Sequence, residues 1–404
     1  MLLLAFVLLI STSAVAGDWP QVLGPNRDGV SEETIEPWPG EPTIRWRVGC
    51  GAGYAGVAVR GQNVLLWHRV AGDEVLDCLS TVDGQRRWRA TFPASYRGGV
   101  DADRGPRCVP VVANDTVIVC GASGDLHAVS LTDGSTMWSR ELRADYDADE
   151  GYFGAGSTPI VVGDVVITTV GGRTGAGLVA VSKSDGKTRW TCANEAAAYA
   201  SPVTITIEGV VRVIAVLGLQ TVMVDPQTGE IISQFDFGRR GPTVNAATPL
   251  VDGTNVFVTA SYGIGCRMID MASDPPKDLW DTNDVISSQY ATPVRVGDWL
   301  FAISGREDMG DAELKCVRWA DGAVAWTQSP FGTAHLIATG NRVLAQTTKG
   351  RLILFAATEK RYEALATADL PPGTYKSLPA IADGVLFCRR TMSATEGEIL
   401  AIEP

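Results

Sequence analysis

A run of acidic residues between positions 143 and 154 contains the clearest candidate metal ligands in this sequence. Asp145, Asp147 and Asp149 alternate along it, and Gly151 follows closely. Alternate carboxylates in a tight loop can converge on one hard cation, so the spacing resembles the start of a Ca²⁺-binding loop. The glycine comes later than in an EF-hand, and the bidentate glutamate of that motif is missing. The three aspartates are therefore candidate metal ligands, and a solvated acidic loop is the alternative.

The three histidines do not form a catalytic or metal-binding pattern. No two of them have metal-ligand spacing, and none lies near a Gly-x-Ser-x-Gly motif. His68 and His127 lie at or within apolar runs, where polar surface or core-edge histidines are common. His335 stands where other copies of a repeat carry a strand-opening proline, so we expect it to face a channel mouth and to be a binding candidate. The sequence indicates no catalytic residue.

Composition and charge exclude several functional classes. The 404 residues include 34 Lys and Arg against 46 Asp and Glu, a net charge of −12. So acidic a chain, without a basic cluster, argues against nucleic acid or anionic lipid as the partner. Hydrophobic residues make up 45% of the chain, and 44 glycines and 21 prolines indicate many turns. We expect a globular protein with a substantial core.

The first 16 residues are typical of a secretory signal peptide. An apolar run over residues 1–10 is followed by small residues that end at Ala16, and the run is too short to span a bilayer. We expect cleavage near Ala16, a periplasmic or secreted protein, and no transmembrane span in the mature chain; a buried N-terminal strand is the alternative. Among eight cysteines there is no CxxC, and Cys50, Cys108 and Cys192 are the disulfide candidates, with their partners left open.

A repeat with a period of 40 to 50 residues organises the rest of the chain. Its clearest mark is Asp-Gly-x-x-x-Trp, and an Asp-Gly turn between apolar runs predicts a β-hairpin. Earlier in most copies, a dipeptide such as Thr-Pro or Ser-Pro opens a strand. Four strands in each of eight copies predict an all-β fold, an eight-bladed β-propeller of four-stranded blades.

The two ends of the chain predict how the ring closes. The last copy stops after its third strand, and an unmatched tryptophan strand occupies residues 43–48. We predict that this strand joins the last blade, which leaves no open ring end. The domains are then a signal peptide at 1–16, an N-terminal arm at 17–42 that packs over one face of the disc, and the propeller at 43–404. Six tryptophans are predicted to dock between neighbouring blades: Trp46, Trp88, Trp138, Trp190, Trp280 and Trp326.

The repeat resembles the tryptophan-docking repeat of PQQ-like (quinoprotein-like) propellers. It starts with Ser-Pro, continues through Gly-Asp-x-Val and Leu-x-Ala-Val-Ser, and ends with Asp-Gly-Lys-x-x-Trp. The resemblance covers residues 43–404, and the stretches at 18–31 and 261–266 look like those of an exported bacterial group in this family. PQQ-dependent dehydrogenases and the outer-membrane assembly factor BamB share the repeat, so it implies the fold and leaves the function open.

A dehydrogenase of this family would imply a Ca²⁺ site of carboxylate and amide oxygens, an Asp base, an Arg beside the quinone, a Trp floor and often a vicinal disulfide. This sequence has no vicinal cysteine pair. It also has no motif from which the Ca²⁺ ligands or the catalytic base of the family could be assigned to particular residues. We therefore predict no cofactor. PQQ with Ca²⁺, in a PQQ-dependent oxidoreductase, is the alternative.

The loops between each tryptophan strand and the next blade must share one face, because every blade has the same strand order. Their charged and aromatic residues favour recognition of polar surfaces, with ordinary solvated loops as the alternative. The binding candidates are Arg97, Asp103, Arg104, Tyr152, Arg239, Arg240, Tyr290 and His335. We expect a monomeric, non-catalytic scaffold that binds an envelope protein or another macromolecule. The resemblance to BamB implies a role in outer-membrane protein assembly, and a carbohydrate-binding propeller is a further alternative.

Overall fold

A computed structural model describes residues 17–404, so the predicted signal peptide lies outside the described residues. Eight antiparallel sheets follow one another around a ring, and in seven of them four strands make up the whole sheet. The eighth sheet has a fifth strand from the N-terminal arm. The predicted all-β, eight-bladed propeller is confirmed. No helix in the described part of the chain is long and apolar enough to cross a membrane.

The strands follow the repeat, with the first strand of each blade innermost. Before blade 1 come two strands, β1 (Val30–Ser31) and β2 (Thr43–Cys50). Blades 1 to 4 comprise β3 (Val57–Arg60), β4 (Asn63–Val70), β5 (Asp73–Ser80), β6 (Arg86–Pro93); β7 (Val111–Ala113), β8 (Thr116–Cys120), β9 (Asp125–Ser130), β10 (Thr136–Glu141); β11 (Ile160–Val162), β12 (Val165–Gly172), β13 (Ala176–Ser182), β14 (Thr188–Cys192); β15 (Val203–Ile207), β16 (Val210–Val216), β17 (Gln220–Val224) and β18 (Ile231–Asp236). Blades 5 to 8 comprise β19 (Leu250–Asp252), β20 (Asn255–Ala260), β21 (Gly265–Asp270), β22 (Lys277–Thr282); β23 (Val294–Val296), β24 (Trp299–Ser304), β25 (Glu313–Arg318), β26 (Val324–Gln328); β27 (Ala334–Thr339), β28 (Arg342–Thr347), β29 (Arg351–Ala356), β30 (Ala364–Asp369); β31 (Ala380–Ala382), β32 (Val385–Thr391) and β33 (Gly397–Glu403). The one helix that the described residues contain, α1 (Leu142–Asp145), follows β10.

The ring closes through the N-terminal strand, as the sequence predicted. Strand β2 pairs antiparallel with β33, in a register that sets Ile44 opposite Ile402 and Arg47 opposite Leu400. Blade 8 therefore takes its outer strand from the beginning of the chain and its other three from the end. This pairing removes the open edge that the last sheet would otherwise present.

The tryptophans of the repeat contact the next blade at its Asp-Gly turn. Trp138 Nε1 donates to the carbonyl oxygen of Lys183 at 2.8 Å. Its ring lies against Gly186, where an added Cβ would come within 2.8 Å of the ring. Trp190 makes the same pair of contacts with Pro226 and Gly229. The aspartate and glycine of the motif therefore shape a turn that also receives the preceding tryptophan.

The dipeptides that open the inner strands of blades 2 to 6 form a row of hydrogen bonds along the channel wall. The Oγ1 atom of Thr158 accepts the backbone N–H of Val109, one blade earlier, at 3.0 Å. Ser201 accepts from Thr158, Thr248 from Ser201 and Thr292 from Thr248, at 3.0 to 3.4 Å. Each hydroxyl satisfies a buried N–H that has no ladder partner, which explains why threonine or serine precedes the proline.

The hydrophobic core lies between adjacent blades. One cluster joins Leu65 and Leu76 of blade 1 to Val117 and Val129 of blade 2, and all four side chains are at most 1% exposed. All eight cysteines are unpaired thiols in the structure. The disulfide candidates Cys50, Cys108 and Cys192 are therefore not bonded.

Candidate functional site

The strand order defines two faces of the disc. In each blade the first and second strands, and the third and fourth, are joined by tight turns on one side, which we call the turn face. The loops from the second to the third strand, and from each blade to the next, lie on the other side, the loop face. The loops that the sequence singled out belong to this loop face.

The N-terminal arm crosses and closes the central channel. Trp19 exchanges two backbone hydrogen bonds with Val59 of blade 1, at 2.9 and 2.8 Å. The N–H of Val112 in blade 2 donates to the Pro20 carbonyl at 2.8 Å. Strand β1 then pairs in parallel with β27 of blade 7. Since these partners belong to innermost strands on different sides of the ring, the arm lies inside the channel and not only over one face.

Arg27 is the deepest charge of the arm and is 2% exposed. Its Nη1 donates to the carbonyl oxygens of Thr158 at 3.2 Å and Pro202 at 2.9 Å, and its Nη2 donates to that of Pro159. Its Nε donates to the side-chain oxygen of Gln21 at 2.8 Å. Burial lowers the pKa of Arg27 to about 9, so the guanidinium remains charged at neutral pH. The arginine therefore joins the arm to the first strands of blades 3 and 4.

Five side chains from four blades meet at the loop-face end of the channel, and we call them the mouth cluster: Tyr54, Tyr290, Glu307, His335 and Lys376. Tyr290 donates its hydroxyl to Glu307 Oε2 at 2.9 Å, and Lys376 Nζ lies 3.1 Å from the same oxygen. Lys376 Nζ also lies 5.7 Å from the centre of the Tyr54 ring. The cluster pairs its own charges, so it links blades and presents no free carboxylate.

His335 and Tyr290 have shifted pKa values with clear causes. Burial lowers the pKa of His335, and the neutral ring contacts the Lys376 carbonyl oxygen through Nε2 at 2.8 Å. Burial, and next the negative charge of Glu307, raise the pKa of Tyr290, which therefore stays protonated and donates. His335 is only 4% exposed. His335 stands at the second position of β27 and lies in the mouth cluster, with its ring centre 5.8 Å from that of Tyr290. Little of the side chain is accessible to a partner, and its role in binding stays a prediction.

A cleft of about 850 Å³ opens on the loop face beside blades 4 to 6. Arg239 and Arg240, from the loop after β18, line the cleft together with Tyr262 and Arg306. We call this recess the arginine cleft. Arg306 pairs with Asp308, and its guanidinium lies 4.6 Å from the centre of the Tyr262 ring. Within residues 17–404, the guanidinium groups of Arg239 and Arg240 make no ion pair or hydrogen bond, while the Arg239 carbonyl oxygen accepts the Thr243 hydroxyl at 2.7 Å.

The remaining loop-face candidates do not form one site. Asp103 is buried and accepts the backbone N–H groups of Gly53 and Gly105, each at 2.8 Å, so its role is to fix the loop. Arg97, Arg104 and Tyr152 are exposed. The described contacts do not connect their side chains to the arginine cleft.

The three aspartates that the sequence suggested as metal ligands do not converge on one point either. Asp145 ends α1 and pairs with Arg140 at 2.7 Å, while Asp147 lies 3.6 Å from Arg173. Asp149 is exposed. Nowhere between residues 17 and 404 do three His, Cys, Asp or Glu side chains form a group that could hold a metal ion. The structure therefore does not gather Asp145, Asp147 and Asp149 as ligands.

Sequence reasoning missed Tyr262, Arg306 and Glu307, which lie in loops between second and third strands. Those loops share the loop face by the same topological rule that places the inter-blade loops there. Applying the same rule to the loop between the second and third strands of each blade would have identified these three residues. Tyr54 and Lys376 lie in inter-blade loops, but the sequence gives no signal that Lys376 pairs with Glu307 of blade 6.

The channel residues do not fit a Ca²⁺–quinone pocket. The carboxylates near the mouth are already bound within the protein: Asp101 to the Tyr54 hydroxyl at 3.3 Å, Asp103 to backbone N–H groups, and Glu307 to Tyr290 and Lys376. Below them the arm occupies the channel. A hard cation needs several converging oxygens, and these side chains do not provide such a set.

The blade number, the docked tryptophans and the strand closure define a PQQ-like β-propeller. A family model described as outer membrane protein assembly factor BamB matches residues 42–144 and 72–328. The chain therefore belongs to this BamB-like family. The outer membrane protein assembly factor BamB of Yersinia pestis is 24% identical over 314 residues, which cover 74% of this chain and 70% of that protein.

Solved structures show the same architecture. The structure of BamB from Moraxella catarrhalis matches with a TM-score of 0.65 at 14% identity, covering 90% of this chain and 98% of that one. A europium-containing methanol dehydrogenase matches with a TM-score of 0.71 at 11% identity, covering 97% and 99%. At such identities the likeness concerns the fold alone.

Proposed function

We propose that this protein is a non-catalytic scaffold that binds other polypeptides in the bacterial envelope and takes part in outer-membrane protein assembly. The observation that carries the proposal is the closed channel. The arm and Arg27 occupy the interior, and the arginine cleft is an open recess on the loop face. Membership of the BamB-like family supports the choice of partner. The proposed location is the periplasm, or the outside of the cell, after cleavage near Ala16.

A rigid loop face suits a scaffold. The loops are fixed by buried groups such as Asp103 and by the pairs of the mouth cluster, so a partner does not have to order them on binding. Association then avoids part of the entropy that mobile loops would lose. The mouth carboxylates and hydroxyls pair with each other, which agrees with a role in recognition and not in proton transfer.

Site-specific photo-crosslinking tests the proposal. A photoreactive amino acid replaces Val100, Met309 or Met392 in loop-face loops, which are 73%, 65% and 50% exposed, and Val82 in a turn-face turn, which is 70% exposed. The probe is an outer-membrane porin unfolded in urea and then diluted into buffer. We expect crosslinks from at least one loop-face position and none from Val82. Failure of the porin to bind, or crosslinks confined to Val82, would refute the proposal.

A further inference from the structure

We propose that the arginine cleft binds acidic stretches of polypeptide, with carboxylates held by Arg239 and Arg240 and an apolar side chain beside Tyr262 and Met309. This inference rests on the proposed scaffold function and names the part of the loop face that would carry it. The ligand is a peptide segment with a few Asp or Glu residues beside an aromatic or aliphatic residue.

The first support is an uncompensated pair of positive charges. Acidic residues outnumber Lys and Arg by 46 to 34 in this chain. Several other arginines toward the loop face have carboxylate partners, such as Arg390 with Glu398 at 2.8 Å and Arg107 with Asp103 at 3.7 Å. Arg239 and Arg240 lie side by side in the described structure without one. Arg97 and Arg104 are also without an ion pair in the described structure, but they do not line the cleft. Arg239 and Arg240 both line the cleft, and a bound carboxylate would neutralise positive charge there while accepting bidentate hydrogen bonds.

The second support is the way in which the arginines are held. Gly238 and Gly241 bracket them with φ of 132° and 131°, a backbone region that only glycine adopts readily. A Cβ on Gly238 would lie 2.3 Å from the carbonyl oxygen of Gly218. Beyond them, buried Asn245 donates from Nδ2 to the carbonyl oxygens of Leu217 at 3.0 Å and Gly218 at 3.2 Å. The loop backbone is thus anchored although the two arginine side chains are exposed.

The acidic residues that also line the cleft favour a peptide over a highly charged polyanion. Arg306 is neutralised by Asp308, and the acidic side chains of Asp311 and Glu313 line the same recess. A polymer with a charge on every unit would meet these carboxylates, whereas a peptide can place neutral residues there. Met309 is 65% exposed at the rim and offers an adaptable apolar contact beside the Tyr262 ring.

The size and floor of the cleft fit a segment of chain. Its volume of about 850 Å³ is far larger than a single carboxylate group needs. The floor includes Ser261, Ser287 and Ser304 together with Gly263 and Gly305, so a peptide backbone can approach closely. An extended segment can therefore lie across blades 5 and 6 while its carboxylates reach the arginines.

The test uses two short fluorescent peptides and three variants of the full protein. One peptide carries Asp and Glu residues beside a phenylalanine, and its partner has Asn and Gln at the same positions. The double variant Arg239→Ala with Arg240→Ala is compared with Arg97→Ala with Arg104→Ala, which removes the same charge from exposed sites on the same face. A third variant, Arg239→Lys with Arg240→Lys, keeps the charge and loses the forked donors. Fluorescence anisotropy gives Kd at low and at physiological ionic strength.

We expect the acidic peptide to bind the wild type at least ~10-fold more tightly than the amide peptide, and removal of Arg239 and Arg240 to weaken it at least ~10-fold. The Arg97 and Arg104 control should change Kd less than ~2-fold, and the lysine variant should fall between the two. Equal binding of the two peptides, or equal losses in both alanine variants, would overturn the inference.

The two proposals fail separately. If the unfolded porin crosslinks to Val100 or Met392 but the acidic peptide does not bind, the scaffold function stands and the assignment of the cleft is wrong. If the peptide binds through Arg239 and Arg240 while the porin does not bind anywhere, the cleft remains an acidic-peptide site and the role in outer-membrane assembly is wrong.

Discussion

A buried glutamate should make the stability of this propeller fall as the pH rises. Glu74 lies at the second position of β5 and is 1% exposed. Its Oε1 accepts the backbone N–H of Ala122, in the next blade, at 2.8 Å. Burial raises the pKa of Glu74 from 4.5 to about 7, with a smaller rise from the charge of Asp125 and opposing effects of the Ala122 hydrogen bond, Arg69 and Arg107.

The sign and size follow from proton linkage. Between pH 4.5 and about 7 the folded protein keeps a proton on Glu74 that the unfolded chain has released. Stability therefore falls as the pH rises through this window, because the unfolded state binds fewer protons. The difference between a pKa of 4.5 and one of about 7, at about 1.4 kcal/mol per pH unit, corresponds to about 3.5 kcal/mol in full, and about 3 kcal/mol of it falls between pH 4.5 and about 8.

The substitution Glu74→Gln tests this reasoning, because glutamine keeps an oxygen for the Ala122 N–H and cannot ionise. Urea unfolding followed by tryptophan fluorescence at pH values from about 4.5 to 8 gives the free energy of unfolding of each protein. We expect the difference between Glu74→Gln and wild type to rise by about 3 kcal/mol in favour of the variant across that range. Glu396→Gln, at an exposed loop-face position, serves as the control and should show a flat difference. A Glu74→Gln difference that stays within about 0.5 kcal/mol across the range would refute the assignment.

Three further predictions concern the arm, the docking turns and the channel. Arg27→Met removes four hydrogen bonds made by a charged donor. We expect it to lower the free energy of unfolding by about 3 kcal/mol and to speed hydrogen exchange of the Trp19 amide. Unchanged exchange would show that Arg27 does not hold the arm in place. Gly186→Ala places a Cβ 2.8 Å from the Trp138 ring at φ +69°, whereas Gly175→Ala meets open space at φ +83°. Thermal denaturation should therefore show that Gly186→Ala lowers the free energy of unfolding by about 2 kcal/mol more than Gly175→Ala does. Equal losses of stability would argue against tight docking of Trp138 on Gly186. Calorimetric titration with PQQ, with and without Ca²⁺, should give no saturable heat, and micromolar binding would contradict the assignment of the channel residues.

The repeat made most of the fold predictable. Asp-Gly-x-x-x-Trp marks a hairpin and a docking contact in one motif, so its spacing locates both the third and fourth strands of a blade. The same logic identified residues 43–48 as the missing strand of blade 8, and the observed strand, Thr43–Cys50, is only slightly longer. Periodic features could be predicted from the sequence because a residue that recurs at the same place in eight aligned copies must have the same structural role in each.

Features that occur once could not be read in this way. Arg27 has no equivalent in any repeat, and its partners are carbonyl oxygens of Thr158, Pro159 and Pro202, which any residue type would supply. His335 shows how strand register decides the position of a residue. Because Thr339 pairs with Arg342 as Val162 pairs with Val165, Leu336 takes the place of the strand-opening proline and His335 that of the threonine or serine before it. The buried His335 ring bonds through Nε2 to the Lys376 carbonyl oxygen, whereas the hydroxyls at this place in other blades accept a backbone N–H, and the repeat gave no sign of this exchange.

The closed channel and the charges of the loop face are two parts of one explanation. Because the arm bonds to the inner strands of blades 1, 2 and 7, it supports the ring from within the channel. The mouth cluster then ties four blades together, and its charges balance within the group. Binding energy for a partner must therefore come from groups that the fold has left unpaired. Within the described chain Arg239 and Arg240 are such groups, on a loop anchored by Asn245, so recognition by this propeller should depend on ionic strength and on carboxylates of the partner.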